Sequence, residues 1–273
     1  MDFRIAKSLR FMERNLGQTC AIAHVAAQTG LSLHHFHRLF IEEIAEPPAS
    51  FLRRIRMDNA AFRLKWSDEP VALVAHAVGF QSRPAFTRAF ERRFGLSPAQ
   101  YRQQHRDGFD LSTQVGGRDI RLRSVDSFTL LAKRYTGCVF DVRACWQDFL
   151  SHLPDDIART GLYIGQLHDD FRITEAGKVR YDCGVTVGNL DPDRVGILAV
   201  KGVHLIETHA GRYATIRHEG HFEQVVASYD LCSGWLTPNG YAPGIKPALE
   251  VHTTPRHLQD KERLSFSIFI PVE

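Results

Sequence analysis

The chain has 273 residues, 44% hydrophobic and 24% charged with a net charge of +3, which fits two folded domains and excludes a disordered polyelectrolyte. Residues 1–110 carry 16 Lys+Arg against 11 Asp+Glu and residues 111–273 carry 18 against 20, so a basic module precedes one with no need of nucleic acid. Cys20, Cys138, Cys145, Cys183 and Cys232 form no CxxC pair, which excludes a zinc ribbon or a secreted disulfide framework, and no apolar run reaches the roughly 18 residues of a bilayer span.

With Asp2, Arg4, Lys7 and Arg10 at the start, no leader peptide is expected, and the expected location is the cytoplasm with reduced thiols. Phe3, Leu9, Met12 and Leu16 share the inner face of a first helix. Thr19 is placed to cap a helix over 21–28 that ends at Thr29-Gly30. In SLHHFHRLFIEEI, helical spacing turns Leu33, Phe36, Phe40 and Ile44 inward and His34, His37 and Arg38 outward. Pro48 opens a helix to about Trp66, roughly 28 Å long at 1.5 Å per residue. Its Phe51, Leu52, Ile55, Ala60 and Leu64 are expected to pack, and Arg53, Arg54, Arg56 and Arg63 to meet solvent.

A short apolar helix over 71–78 then ends at Gly79, and a second helix buries Phe86, Phe90 and Phe94 while presenting Arg83, Thr87, Arg88, Glu91 and Arg92. Ser97-Pro98 stops it and caps another helix. Short helix, Gly turn and basic-faced helix make a helix-turn-helix, and the arrangement occurs twice. Ala23, Val25, Ala26 and Gly30 recur 49 residues later, and Phe36, Arg38, Phe40 and Pro48 recur 50 residues later. A joining helix of this length sets two reading helices about one DNA turn (~34 Å) apart, so a monomer is expected to span successive major grooves of an asymmetric site.

Residues 18–105 resemble the DNA-binding domain of the AraC/XylS transcription regulators, in Gly79-Phe80, Phe86, Arg88, Phe90, Phe94-Gly95, Ser97-Pro98 and Tyr101-Arg102. The resemblance implies duplex DNA and RNA polymerase as partners, and groove-facing residues His34, His37, Arg38, Arg83, Thr87 and Arg88. Arg38 and Arg88, at the most family-typical position, either read a base or hold phosphate and brace the fold. His34, His35 and His37 lack a nearby fourth ligand and read as a solvated face, so no metal or cofactor is expected.

The polar, Gly-containing stretch after His105 marks a boundary: an all-α double helix-turn-helix domain over 1–107, a linker over 108–117 and an α+β domain over 118–273. Alternating runs near 120–122, 130–133, 185–187 and 265–270 suggest strands, with helices near 142–153 and 222–231. Residues 120–153 align without gaps on 203–236, so a pseudo-two-fold internal repeat with a cleft between the copies is expected. Glu250, in PALEVH, corresponds to neutral Gln166 in the first copy. Either it faces solvent on an edge strand, or it is buried among aromatics, where its pKa would rise and it would anchor a cation. Trp146, Tyr163, Tyr229, Trp235 and Phe266 are candidate walls.

GQLHDDFRIT, VRYDCGV, TIRHEGHFEQV, PALEVH and SIFIPVE resemble the GyrI-like small-molecule-binding domain over 118–273. The two halves in this order are similar to the Rob-type regulators. This implies a transcription regulator responding to a small lipophilic or cationic effector, with no catalytic residues. The alternative is a hydrolase fused to a DNA reader, in which Glu250 and a tyrosine would activate water. The chain has no G-x-S-x-G, phosphate loop or H-E-x-x-H.

Overall fold

In the computed structural model residues 1–106, 119–138, 141–188 and 190–273 are described, and the chain divides into two compact units, Met1–Gly108 and Phe109–Glu273. The linker expected over 108–117 lies outside the described residues. No helix among the described residues is long and apolar enough to cross a membrane.

The first unit consists of α1 (Phe3–Arg14), α2 (Ile22–Gln28), α3 (Leu33–Ile44), α4 (Pro48–Trp66), α5 (Val71–Ala77), α6 (Arg83–Phe94) and α7 (Pro98–Arg106). The pairs α2–α3 and α5–α6 are the two helix-turn-helix units. Ser32 and Ser82 cap α3 and α6 by accepting from the backbone N–H of His35 and Ala85. The turn before α6 requires a glycine: Gly79 has φ +82°, and a Cβ there would lie 2.6 Å from the Leu16 carbonyl oxygen.

Three expectations need correction. The N-cap of α2 is Ala21, not Thr19, because Arg56 takes the carbonyls of Leu16 and Gln18 and sets the entry of the chain. Phe3 and Leu33 are 61% and 51% exposed; each is the first residue of its helix, where the side chain leans away from the buried stripe formed by Ile5, Leu9 and Met12 or by Phe36 and Phe40. Of the four α4 arginines only Arg53 is exposed. Helix α4 packs against α3, α5, α6 and α7, so it has little solvent face. Arg54 is buried against Glu46, with 2.5 Å between Nη2 and Oε1, and lies 3.8 Å from Asp58. Arg63 is buried against Glu69 at 2.7 Å, and Arg93 of α6 reaches Asp58 at 2.9 Å.

The second unit holds β1 (Arg121–Val125), β2 (Thr129–Gly137), α8 (Val142–Ser151), α9 (Asp155–Thr160), β3 (Tyr163–Leu167), β4 (Val179–Thr186), α10 (Pro192–Val200), β5 (His204–Glu207), β6 (Gly211–Gly220), α11 (Val225–Leu236), β7 (Ala248–His252) and β8 (Leu264–Pro271). The strands form one antiparallel sheet in the order β1-β6-β8-β7-β3-β4-β2-β5. That order is unchanged, read from the other end, when β1–β4 are exchanged with β5–β8.

Only residues 126–128 join β1, at one edge, to β2, next to the other edge. Six strand spacings in a flat sheet are about 29 Å, whereas three linking residues reach about 14 Å, so the sheet must curl. The two connectors meet: Phe128 N–H donates to Thr208 Oγ1 at 2.7 Å and Thr208 N–H donates to the Phe128 carbonyl at 3.0 Å. The inner face buries Leu130, Ala132, Ile164, Tyr213 and Leu249. On the outer face α8 and α11 cover Leu131, Tyr181, Val185, Ile216, Phe266 and Ile268 with Trp146, Phe149, Leu231 and Leu236.

Asp58 is the buried carboxylate shared by α4 and α6, and its removal takes an ion-pair partner from Arg93 and the second of two carboxylates from Arg54, which keeps Glu46. Asp58→Ala is expected to lower stability by about 3 kcal/mol, read by urea unfolding of the helical circular-dichroism signal. A change near zero would show that Arg54 and Arg93 need no partner there.

Candidate functional site

Two surfaces gather the side chains singled out from the sequence. On the first unit, positions i, i+3 and i+4 of a helix share a face. His34, His37 and Arg38 are all exposed on α3, where with Leu33 and Ile41 they line a shallow groove. On α6 Arg83 and Arg88 are exposed and Thr87 is half-buried. Arg38, Arg83 and Arg88 make no ion pair among the described residues, in contrast to Arg54, Arg63 and Arg93, whose charges are spent inside the fold.

On the second unit, the N-terminal ends of α8 and α11 flank a cleft lined by Val142, Arg143, Leu167, Phe171, Phe222, Val225, Val226, Tyr229, Glu250, Arg256, Lys261 and Leu264. Its volume is about 90 Å³, several times what one water needs. At the inner end Glu250 is 2% exposed and fully bonded. Tyr229 donates to its Oε1 at 2.9 Å and Tyr181 to its Oε2 at 2.7 Å. Arg256 Nη1 donates to both oxygens, at 3.1 and 2.9 Å. His252 Nε2 stands 3.4 Å from Oε2.

Burial by itself would raise the carboxyl pKa, but Arg256, His252 and Tyr181 together outweigh it and hold Glu250 well below the usual carboxylate range. The expected rise is thus reversed, because the neighbours are donors and a cation as well as aromatic walls. Burial and the Glu250 charge push both tyrosine hydroxyls up, which keeps them as donors.

The strand register also corrects the symmetry argument. Gln166 pairs with Leu249, and Glu250 pairs with Gly165. Residues directly opposite in an antiparallel pair share a face, so Gln166 points to the inner side of the curled sheet and is no counterpart of Glu250. Gly165 has its own reason: a Cβ there would lie 1.9 Å from the Tyr181 hydroxyl, which crosses β3 to reach Glu250.

Of the expected walls, Tyr229 and Glu250 line the cleft and the other four do not. Trp146 is fully buried behind it, donating its indole N–H to Tyr181 at 3.2 Å. Tyr163 donates to the Ala158 carbonyl. Trp235 stacks on Tyr241. Phe266 lies in the core, its ring 5.2 Å from the Arg256 guanidinium. Arg256, Tyr181, Phe171 and Phe222 were missed. Tyr181 carried a signal, since outward alternation along VRYDCGV puts it on the same face as Val179 and Cys183. Arg256 carried none, because only the turn after β7 brings it back over Glu250.

Two family models match the chain, one in each unit. Residues 25–104 match the helix-turn-helix domain model, and residues 119–273, more than half the chain, match the GyrI-like small molecule binding domain. The multiple antibiotic resistance protein MarA of Escherichia coli is 31% identical over 100 residues, covering 37% of this chain and 79% of MarA. This chain is a DNA-binding transcription regulator of the AraC/MarA family with a GyrI-like domain. The HTH-type transcriptional regulator YbfP of Bacillus subtilis is 31% identical over 98 residues, covering 36% of this chain and only 33% of YbfP. A solved structure, the DNA-binding domain of AdpA in complex with a target DNA, is 30% identical over 39% of this chain and 96% of that one, with a TM-score of 0.38.

The GyrI-like domain should carry a pH signature of its buried carboxylate. Because the folded pKa of Glu250 is depressed, its contribution is complete above the unfolded carboxylate value of about 4.3 and is lost as pH falls towards the folded value. Comparing Tm against pH for the parent and Glu250→Gln should show the parent losing stability more steeply below about pH 5. Parallel curves would mean that Glu250 is not held as a bonded anion.

Proposed function

We propose that the chain is an effector-responsive regulator: the first unit reads a DNA sequence and the cleft of the GyrI-like domain receives a small lipophilic molecule that alters DNA binding. The domain division is read as 1–107 and 118–273 around a linker. The observation that carries the effector half is the cleft itself, whose walls are largely apolar (Val142, Leu167, Phe171, Phe222, Val225, Val226, Leu264) and whose inner end is closed by a fully bonded Glu250 paired with Arg256. A hydrolytic reading finds no such support. Glu250 has no acceptor position left for the proton of an attacking water.

The DNA half assigns His34, His37 and Arg38 to one major groove and Arg83, Thr87 and Arg88 to the next, with one chain covering an asymmetric site and RNA polymerase as the expected protein partner. Support comes from exposed, unpaired arginines on helices whose inner faces are closed by Phe36, Phe40, Phe86 and Phe90.

Two measurements test this. Arg88→Ala is expected to cost roughly 1–3 kcal/mol on a site selected from a random duplex library and little on unselected DNA. Equal loss on both would make Arg88 a phosphate contact. For the effector half, Val226→Trp fills the cleft from α11. It should abolish the Tm shift given by any lipophilic compound that stabilises the parent and changes its DNA affinity. A shift that survives the substitution would place the compound elsewhere.

A further inference from the structure

The charges around the cleft bear on what kind of molecule enters it. Among the described residues Glu250 is its only acidic lining residue, against three cations, Arg143, Arg256 and Lys261. A carboxylate offers about four acceptor positions, and those of Glu250 are filled by Tyr181, Tyr229 and two bonds from Arg256. A cationic ligand would therefore find no free acceptor at Glu250 and would meet Arg256 first.

The cations are less occupied. Beyond Glu250 the Arg256 guanidinium has no hydrogen-bond partner among the described residues, so its Nε and Nη2 donors remain open. Lys261 makes no ion pair among them; its Nζ lies 5.8 Å from the centre of the Phe222 ring. Arg143 gives Nη1 to the Gln259 carbonyl at 3.1 Å. A guanidinium braced by a buried carboxylate, with an ammonium beside it and apolar walls around both, is suited to a lipophilic body with one anionic end.

We infer that the effector is an amphiphilic anion, a lipophilic carboxylate whose head group lies on Arg256 and Lys261 and whose body lies against Phe171, Phe222 and Tyr229. Glu250 then acts on the ligand through Arg256, as a positioning residue. This rests on the cleft being the effector site.

The test uses the full chain, titrated calorimetrically at neutral pH with three probes of one shape: phenylbutanoate, phenylbutylamine and phenylbutanol. The butanoate should bind about tenfold or more tightly than the amine, with the alcohol between them. Lys261→Gln, at an exposed position, should bring the butanoate close to the alcohol. Arg256→Gln leaves Glu250 without its cation and should reverse the order, with the amine ahead; should it fail to fold, Lys261→Gln decides. The amine binding the parent as tightly as the butanoate, or a butanoate preference untouched by Lys261→Gln, would overturn the anion while leaving the cleft. Binding by none of the probes, or binding that survives Val226→Trp, would remove the cleft as the site, and this inference with it.

Discussion

A carboxylate taken out of water must be given a full set of donors, and both units are organised around that requirement. In the first, Asp58 on α4 lies between Arg54 of its own helix and Arg93 of α6. In the second, Glu250 takes Arg256, Tyr181 and Tyr229, Asp182 takes Arg134 and His168, and Asp169 takes Arg180. Leaving any of these charges without a partner would cost several kcal/mol, so each pair fixes the elements that supply it at one separation and one angle. Conformational specificity follows from the pairing more than net stability does, because the Coulombic gain largely offsets desolvation.

The curled sheet is the second constraint, and the cleft is its by-product. Short connectors between opposite edges force the inner face to close on Leu130, Ile164, Tyr213 and Leu249. Helices α8 and α11 cover much of the outer face, and their first residues, Val142 and Val225, flank the recess that contains Glu250. Glu250 therefore stands at the inner end of a recess with aromatic and aliphatic walls. Gly165 lets the Tyr181 hydroxyl cross a neighbouring strand to reach it, a detail that a methyl group would abolish.

The arginines show how one residue type divides between structure and function. Arg54, Arg63 and Arg93 are consumed by Glu46, Glu69 and Asp58, whereas Arg38, Arg83 and Arg88 stand on exposed helix faces and make no ion pair among the described residues. A charge count over the first 110 residues cannot tell these apart, since both kinds contribute equally to a basic balance.

Local periodicity was enough to place the helices of the first unit, though not α9 and α10 of the second: the Phe spacing in α3 and α6, the Pro start of α4 and the glycine at Gly79 act within a few residues and leave a mark in the sequence. The same holds for the two domain families, carried by contiguous motifs, whereas alternation around Glu250 left a solvent-facing and a buried placement both open until the fold placed it at 2% exposure. Only the tertiary structure decided which α4 arginines are buried, that Gly165 and not Gln166 stands opposite Glu250, and that Arg256 turns back to neutralise it. These depend on strand register and on partners far along the chain. A one-residue change of register moves every side chain to the other face of a sheet, and the sign of a pKa shift depends on which distant charge arrives beside the group.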